Sequence, residues 1–155
     1  MDKEKKLISA KVLFAAISEQ LACDRQAVFT VTGMSMWPFI CHVRDQVIVA
    51  PVKTENLRTG DIILFRASEE TFLLHRITHL DADFFETTGD GNLFRDGKFP
   101  YHCIIARAEK VIRAGKTIDC SSPVWKMLSG IWMLLFPIRS SVFFLWSHLR
   151  KYIIP

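Results

Sequence analysis

No lysine occurs between Asp61 and Gly91. That stretch therefore offers no amine base to a nucleophile elsewhere in the chain. Cys-x-x-Cys spacing is also missing: the four cysteines are Cys23, Cys41, Cys103 and Cys120. Cys41-His42 and His102-Cys103 form a mirrored pair of the residue types that bind zinc. Adjacent residues on a strand point to opposite faces, so both members of such a pair rarely hold one ion. The expectation is no metal, and reduced thiols of the kind found in a cytosolic compartment. There is no nucleic-acid motif, and the segment before residue 30 is too short for a helix-turn-helix. No internal repeat or low-complexity tract stands out. The N-terminal segment lacks the shape of a secretory leader and is too short and too charged to cross a bilayer.

Apolar residues, by contrast, are abundant. Half of the 155 residues are hydrophobic and 12% are aromatic, which is rich for a small domain. The length fits one domain with an appendage. The formal net charge is +4, an excess that suits an anionic membrane surface or an acidic substrate.

Three stretches differ in pattern. Residues 1–25 begin with a charged run, Asp2 to Lys6, expected to fray. Ala10, Leu13, Phe14, Ile17 and Leu21 then recur at helical spacing, which predicts an amphipathic helix to about Cys23. Residues 26–121 read as strands over 27–32, 46–51, 61–66, 72–80, 84–88 and 104–113, with turns between them. Many short strands with short loops predict a mainly β fold, a curled antiparallel sheet or partial barrel. Residues 122–155 are the hydrophobic segment. Ser122 is a helix cap and Pro123 suits the first helical position. From Ser129 to Leu149 only Arg139 carries a fixed charge, and Pro137 interrupts the run. An all-round apolar helix needs burial in protein or lipid. The preferred placement is two short helices in the membrane interface, tryptophans at headgroup depth and basic residues outside. A single kinked span, or packing on the β-domain or a partner, are the alternatives.

The chemistry-bearing residues fall in the β-rich stretch. Ser35 sits in Thr32-Gly33-Met34-Ser35-Met36-Trp37-Pro38, where Gly and Pro mark a tight loop. A serine nucleophile needs a base and an oxyanion site. His75 is the best base, because imidazole accepts a proton near neutral pH without large tuning. His79 shares the alternating face and ranks below it. Asp96 is the first choice to orient His75, and Asp90, between two glycines in Gly89-Asp90-Gly91-Asn92, is the second. The Ser35 N–H would help hold an oxyanion, with a second donor near Thr32; Gly33, Met34 and Met36 complete the loop.

The order Ser35 loop, Gly60-Asp61-Ile62-Ile63-Leu64-Phe65-Arg66, His75-Arg76, Gly89-Asp90-Gly91-Asn92 resembles the signal peptidase I / LexA superfamily of serine peptidases over roughly residues 28 to 115. Gly33-Met34-Ser35-Met36 is similar to the LexA-type serine loop, and Pro38 to signal peptidases. His75-Arg76 resembles the endoplasmic reticulum and archaeal branch, where histidine replaces the bacterial lysine; Asp90 and Asp96 match acidic positions of that branch. The resemblance implies a serine endopeptidase that cuts a leader or signal peptide after small residues, with no metal or organic cofactor. Signal peptidases often place a hydroxyl residue where this chain has Gly33, and carry an N-terminal membrane anchor where this chain is expected to have none. The expected partners are a peptide substrate and a membrane surface, with no nucleic acid. The expected location is the cytoplasmic face of a membrane, or alternatively the soluble cytoplasm. Rival readings are a LexA-like self-cleaving regulator, although no Ala-Gly or Cys-Gly pair precedes Ser35, and a silent peptide-binding module.

Overall fold

The computed structural model describes residues 10–153. The charged run from Asp2 to Lys6 lies outside them. Helix α1 (Ala10–Ala22) leads into strands β1 (Ala27–Thr30), β2 (Asp45–Ala50), β3 (Ile62–Arg66), β4 (Phe72–Leu80), β5 (Phe84–Thr88), β6 (Lys98–Pro100), β7 (Ile104–Arg113) and β8 (Lys116–Asp119). Two helices follow, α2 (Pro123–Leu134) and α3 (Arg139–Ile153), joined through a 3-10 turn at Phe136–Ile138. The strands form one eight-stranded sheet, ordered β1-β2-β7-β3-β4-β5-β6, with β8 paired to β7. Every pairing is antiparallel, and the sheet is not closed into a barrel. Register shifts at Ile48/Val49, Leu64/Phe65 and Ile77/His79 introduce the extra residues that bend strands.

Strand β3 explains how the core is divided. Ile62, Ile63, Leu64 and Phe65 are all buried, so both faces of this strand are covered. Ile62 and Leu64 join Met36, Ile40, Val47, Val111 and Trp125 on one face. Ile63 and Phe65 join Leu57, Ile77 and Phe85 on the other. Period-two alternation carries this division into β4, where His75 pairs with Ile63 and Arg76 with Ile62. Helix α1 closes the first face with Ile17 and Leu21, and Phe14 stacks on Phe72 at 4.2 Å.

Two strands escaped the sequence pattern. Strand β6 is three residues long and ends in Pro100, a residue tolerated only at a sheet edge. Strand β8 returns from β7 through Ala114 and Gly115, both with positive φ (49° and 76°). That geometry belongs to a two-residue hairpin, but Ala-Gly lacks the usual Asn-Gly signature.

Helix α2 starts where the sequence indicated, and α3 begins at Arg139. The Ser122 side chain accepts the Trp125 N–H at 3.3 Å, and Pro123 opens α2. Their packing corrects the expected placement of tryptophans and charge. Trp125 is buried against Phe39 with ring centroids 5.3 Å apart, and Trp132 turns inward as well. Arg139, expected outside, is 1% exposed. The reason is helical spacing: Trp125, Ser129 and Trp132 form one stripe that covers the sheet. The opposite stripe, with Val124, Met127, Ile131 and Leu134, stays exposed. Among the described residues no single helix is long and apolar enough to cross a membrane; α2 and most of α3, bent by 54°, meet the length and composition test only as a pair.

Candidate active site

The loop between β1 and β2 carries Ser35. Gly33 adopts φ 90°, a left-handed conformation that favours glycine, just before the nucleophile candidate. Met36, 2% exposed, plugs the loop into the core. Met34 points outward, and Thr32 is exposed. The Gly33 N–H donates to His42 Nδ1 at 2.9 Å, so this amide is not free to serve an oxyanion. Among the described residues nothing accepts the Ser35 N–H, and the same holds for the N–H groups of Met34 and Met36. The end of the loop is fixed by Asp45, a fully buried carboxylate. It accepts from the Cys41 N–H (2.8 Å), from Arg44 and from Arg113, whose Nη2 also donates to Phe39 O at 2.6 Å. Burial pushes the Asp45 carboxyl up, but the hydrogen bonds from Arg44, Arg113 and Cys41 outweigh it and hold the group well below the usual carboxylate range.

His75 and Asp96 come together: His75 Nδ1 lies 2.6 Å from Asp96 Oδ2. A carboxylate can only accept, so Nδ1 carries the proton and Nε2 of the neutral ring presents its lone pair. Nε2 is buried and has no hydrogen-bond partner. A buried polar atom left open costs about 1–3 kcal/mol; Thr78 Oγ1, Ser129 Oγ and Arg139 Nε are in the same state. Thr87 Oγ1 donates to the same Asp96 oxygen at 2.8 Å. The sequence reading missed Thr87; its only signal was its place beside the Gly-Asp turn. Ser35 Oγ is not bonded to Nε2 here.

Asp90, the second choice for orienting His75, does not meet it. Its two oxygens accept from Arg76 Nε (2.8 Å) and Nη2 (2.6 Å), both side chains fully buried. Arg76 Nη1 donates to Gly60 O at 2.8 Å, and its guanidinium lies 5.0 Å from the Phe39 ring centroid. Arg76 is thus a core residue rather than a surface one. His79 stands apart, exposed and 3.8 Å from Asp81, because the register shift after Ile77 turns it out of the face that holds His75.

One turn, residues 89–97, organises these groups. Near its start the Gly91 N–H donates to Ser35 O at 2.7 Å. Near its end Asp96 reaches back to His75, while the Asp96 N–H donates to Thr87 O at 2.9 Å. The turn touches the serine loop so closely that a Cβ on Gly91 would lie 2.6 Å from Met34 O, and one on Gly89 would collide with Ser35 O.

A cavity of about 620 Å³ lies elsewhere, between β7, β8 and α2; none of Ser35, His75, Asp90 or Asp96 lines it. Cys120 lines it, and burial pushes that thiol up to about 12, which makes it a poor nucleophile. All four cysteines are unpaired. Among the described residues no group of three or more His, Cys, Asp or Glu side chains is arranged to hold a metal ion. No family model matches the chain, and no curated protein matches it.

Proposed function

We propose that this protein is a serine endopeptidase of the signal peptidase I / LexA type, nearest to the Ser-His branch, which removes a leader or signal peptide after small residues. On this reading the open, bent sheet is the catalytic core. The observation that carries it is the His75 Nδ1–Asp96 Oδ2 contact at 2.6 Å with a buried, open Nε2 on the other side of the ring. The pinning of the serine loop to the turn that ends in Asp96 supports it.

Ser35 Oγ attacks the scissile carbonyl while His75 Nε2 takes its proton. Asp96 holds the ring and stabilises the imidazolium, and Thr87 keeps the carboxylate in place. The Ser35 N–H receives the developing oxyanion; each such donor is worth about 100- to 1,000-fold in rate. The imidazolium then gives its proton to the leaving amine, and water, activated by the same histidine, releases the acyl group. Arg76 and Asp90 keep the turn in register from the opposite face of the sheet. The exposed apolar stripe of α2, with Phe144 and Leu145 of α3, would rest on a membrane surface and hold the enzyme near its substrate.

The test is digestion of a diverse peptide library in detergent by wild type and Ser35→Ala, read by mass spectrometry. Cuts after small residues that vanish in the variant are expected. Binding of peptides without any Ser35-dependent cut would replace this reading with the silent binding module.

A further inference from the structure

The Gly89–Asn92 segment carries the Gly91 N–H that holds the serine loop, and it is itself held by the C-terminal helices. Trp132 Nε1 donates to Asp90 O at 2.9 Å. Arg139 Nη1 donates to Gly89 O at 3.3 Å and to Asn92 O at 3.2 Å, and its Nη2 donates to Trp132 O at 3.1 Å. Three carbonyls of the segment are therefore gripped by two side chains of the helical pair. Within the segment the Asn92 N–H donates to Gly89 O at 3.0 Å, and the Gly91 N–H binds the Ser35 carbonyl. A second contact joins the same partners: Trp37 of the serine loop lies 5.7 Å from Phe143 and 6.1 Å from Trp146, ring to ring.

Arg139 is unusual in its setting. It is 1% exposed and forms no ion pair among the described residues. Its charge faces carbonyl oxygens and the rings of Trp132 (5.1 Å) and Phe136 (4.9 Å), and its Nε has no hydrogen-bond partner. A cation buried in this way is costly, and an apolar side chain of similar volume would often be neutral or better for stability. What methionine could not do is reach two carbonyls of one turn with a rigid fork.

We infer that Trp132 and Arg139 are positioning residues: they hold the 89–92 segment in the conformation in which Gly91 fixes Ser35. The inference rests on the Ser35–His75–Asp96 reading for its effect on turnover, but its structural half stands on the bonds alone. The hydrophobic C-terminal segment is on this view part of the active-site frame, acting through the turn rather than touching substrate.

The variants are Arg139→Met, Arg139→Lys and Trp132→Phe, the last keeping a ring and losing only the donor. Two readouts are taken on the full chain: amide hydrogen exchange by NMR, and kcat and KM on a peptide cut in a Ser35-dependent manner. Loss of one hydrogen bond of ordinary strength predicts about tenfold faster exchange at Gly91 and about tenfold lower kcat, with KM unchanged. Arg139→Lys is expected to recover part of what Arg139→Met loses. The amides of β2 and β7 should keep their protection in all three. Unchanged Gly91 exchange would overturn the inference, as would equal acceleration throughout β2 and β7, which would make both residues mere contributors to global stability. If wild type shows no Ser35-dependent hydrolysis, the peptidase reading falls, and the Gly91 exchange comparison still decides this one.

Discussion

Replacing Gly91 with alanine drives a methyl group into the serine loop. Its Cβ would stand 2.6 Å from Met34 O, 3.2 Å from Trp37 O and 3.4 Å from Ser35 O. Carbon and carbonyl oxygen settle at about 3.3–3.6 Å, so the Met34 carbonyl must retreat by about 0.7–1 Å. All three oxygens are backbone atoms, so no flexible side chain can absorb the displacement. The 2.7 Å bond from Gly91 N–H to Ser35 O lies at the point of contact and breaks with it. Losing that bond costs about 1 kcal/mol and overpacking adds about 1–3 kcal/mol, so the fold should lose about 2–4 kcal/mol. A nucleophile moved by about 1 Å costs about 100-fold in rate. Urea unfolding gives the first quantity, and kcat/KM on a Ser35-dependent peptide gives the second. Gly130→Ala is the control, because nothing lies within 4 Å of its Cβ position in α2. It should gain about 0.5–1 kcal/mol from helix propensity and leave kcat/KM alone. A folded Gly91→Ala protein with kcat/KM within about threefold of wild type would refute the claim that this close approach sets the serine.

Two further outcomes follow from the site. Asp96→Asn keeps the shape of the side chain but no longer enforces the Nδ1–H tautomer of His75, so kcat should drop by about 10,000-fold with the fold intact; a loss below about tenfold would remove Asp96 from the mechanism. Asp45→Asn breaks a buried ion pair with Arg44 and Arg113 and should cost about 3 kcal/mol, near the low end for such pairs because the Arg44 side chain is 47% exposed. The Asp45 carboxyl sits below its usual range in the fold, so its stabilisation is full above the unfolded-state value near 4 and disappears as pH falls. Wild-type stability in urea should therefore decline from about pH 5 downward, and more steeply than that of Asp45→Asn; parallel acid profiles would show that Asp45 gains nothing from its partners.

Much of the sheet was legible in the sequence. Phe72–Leu80, Phe84–Thr88 and Ile104–Arg113 are strands over the predicted ranges, since each is rich in aromatic and β-branched residues and bounded by turn residues. Helix α2 was legible for a different reason: Ser122 and Pro123 are local signals, satisfied by atoms three residues away. The orientation of that helix was not. Thirteen residues apolar on nearly every side carry no periodicity to say which stripe is inside, and the outward tryptophans expected at a lipid interface turned inward against Phe39 and the 89–92 segment. Arg139 misled for the same reason. A lone arginine in an apolar run reads as exposed until three carbonyls are found around it.

The order of Ser35, His75, Asp90 and Asp96 along the chain, and the kinds of element that carry them, came from the sequence by itself, because loops, strands and turns declare themselves through local periodicity and through Gly and Pro. Which carboxylate serves the histidine was decided only in three dimensions. Asp90 and Asp96 occupy one turn, and either could have been the partner by spacing alone. Neighbouring residues on β4 point to opposite faces, so His75 joins Ile63 and Arg76 joins Ile62. The turn then sends Asp96 to the Ile63 face and Asp90 to the Ile62 face, where the buried guanidinium leaves neither of its oxygens for an imidazole.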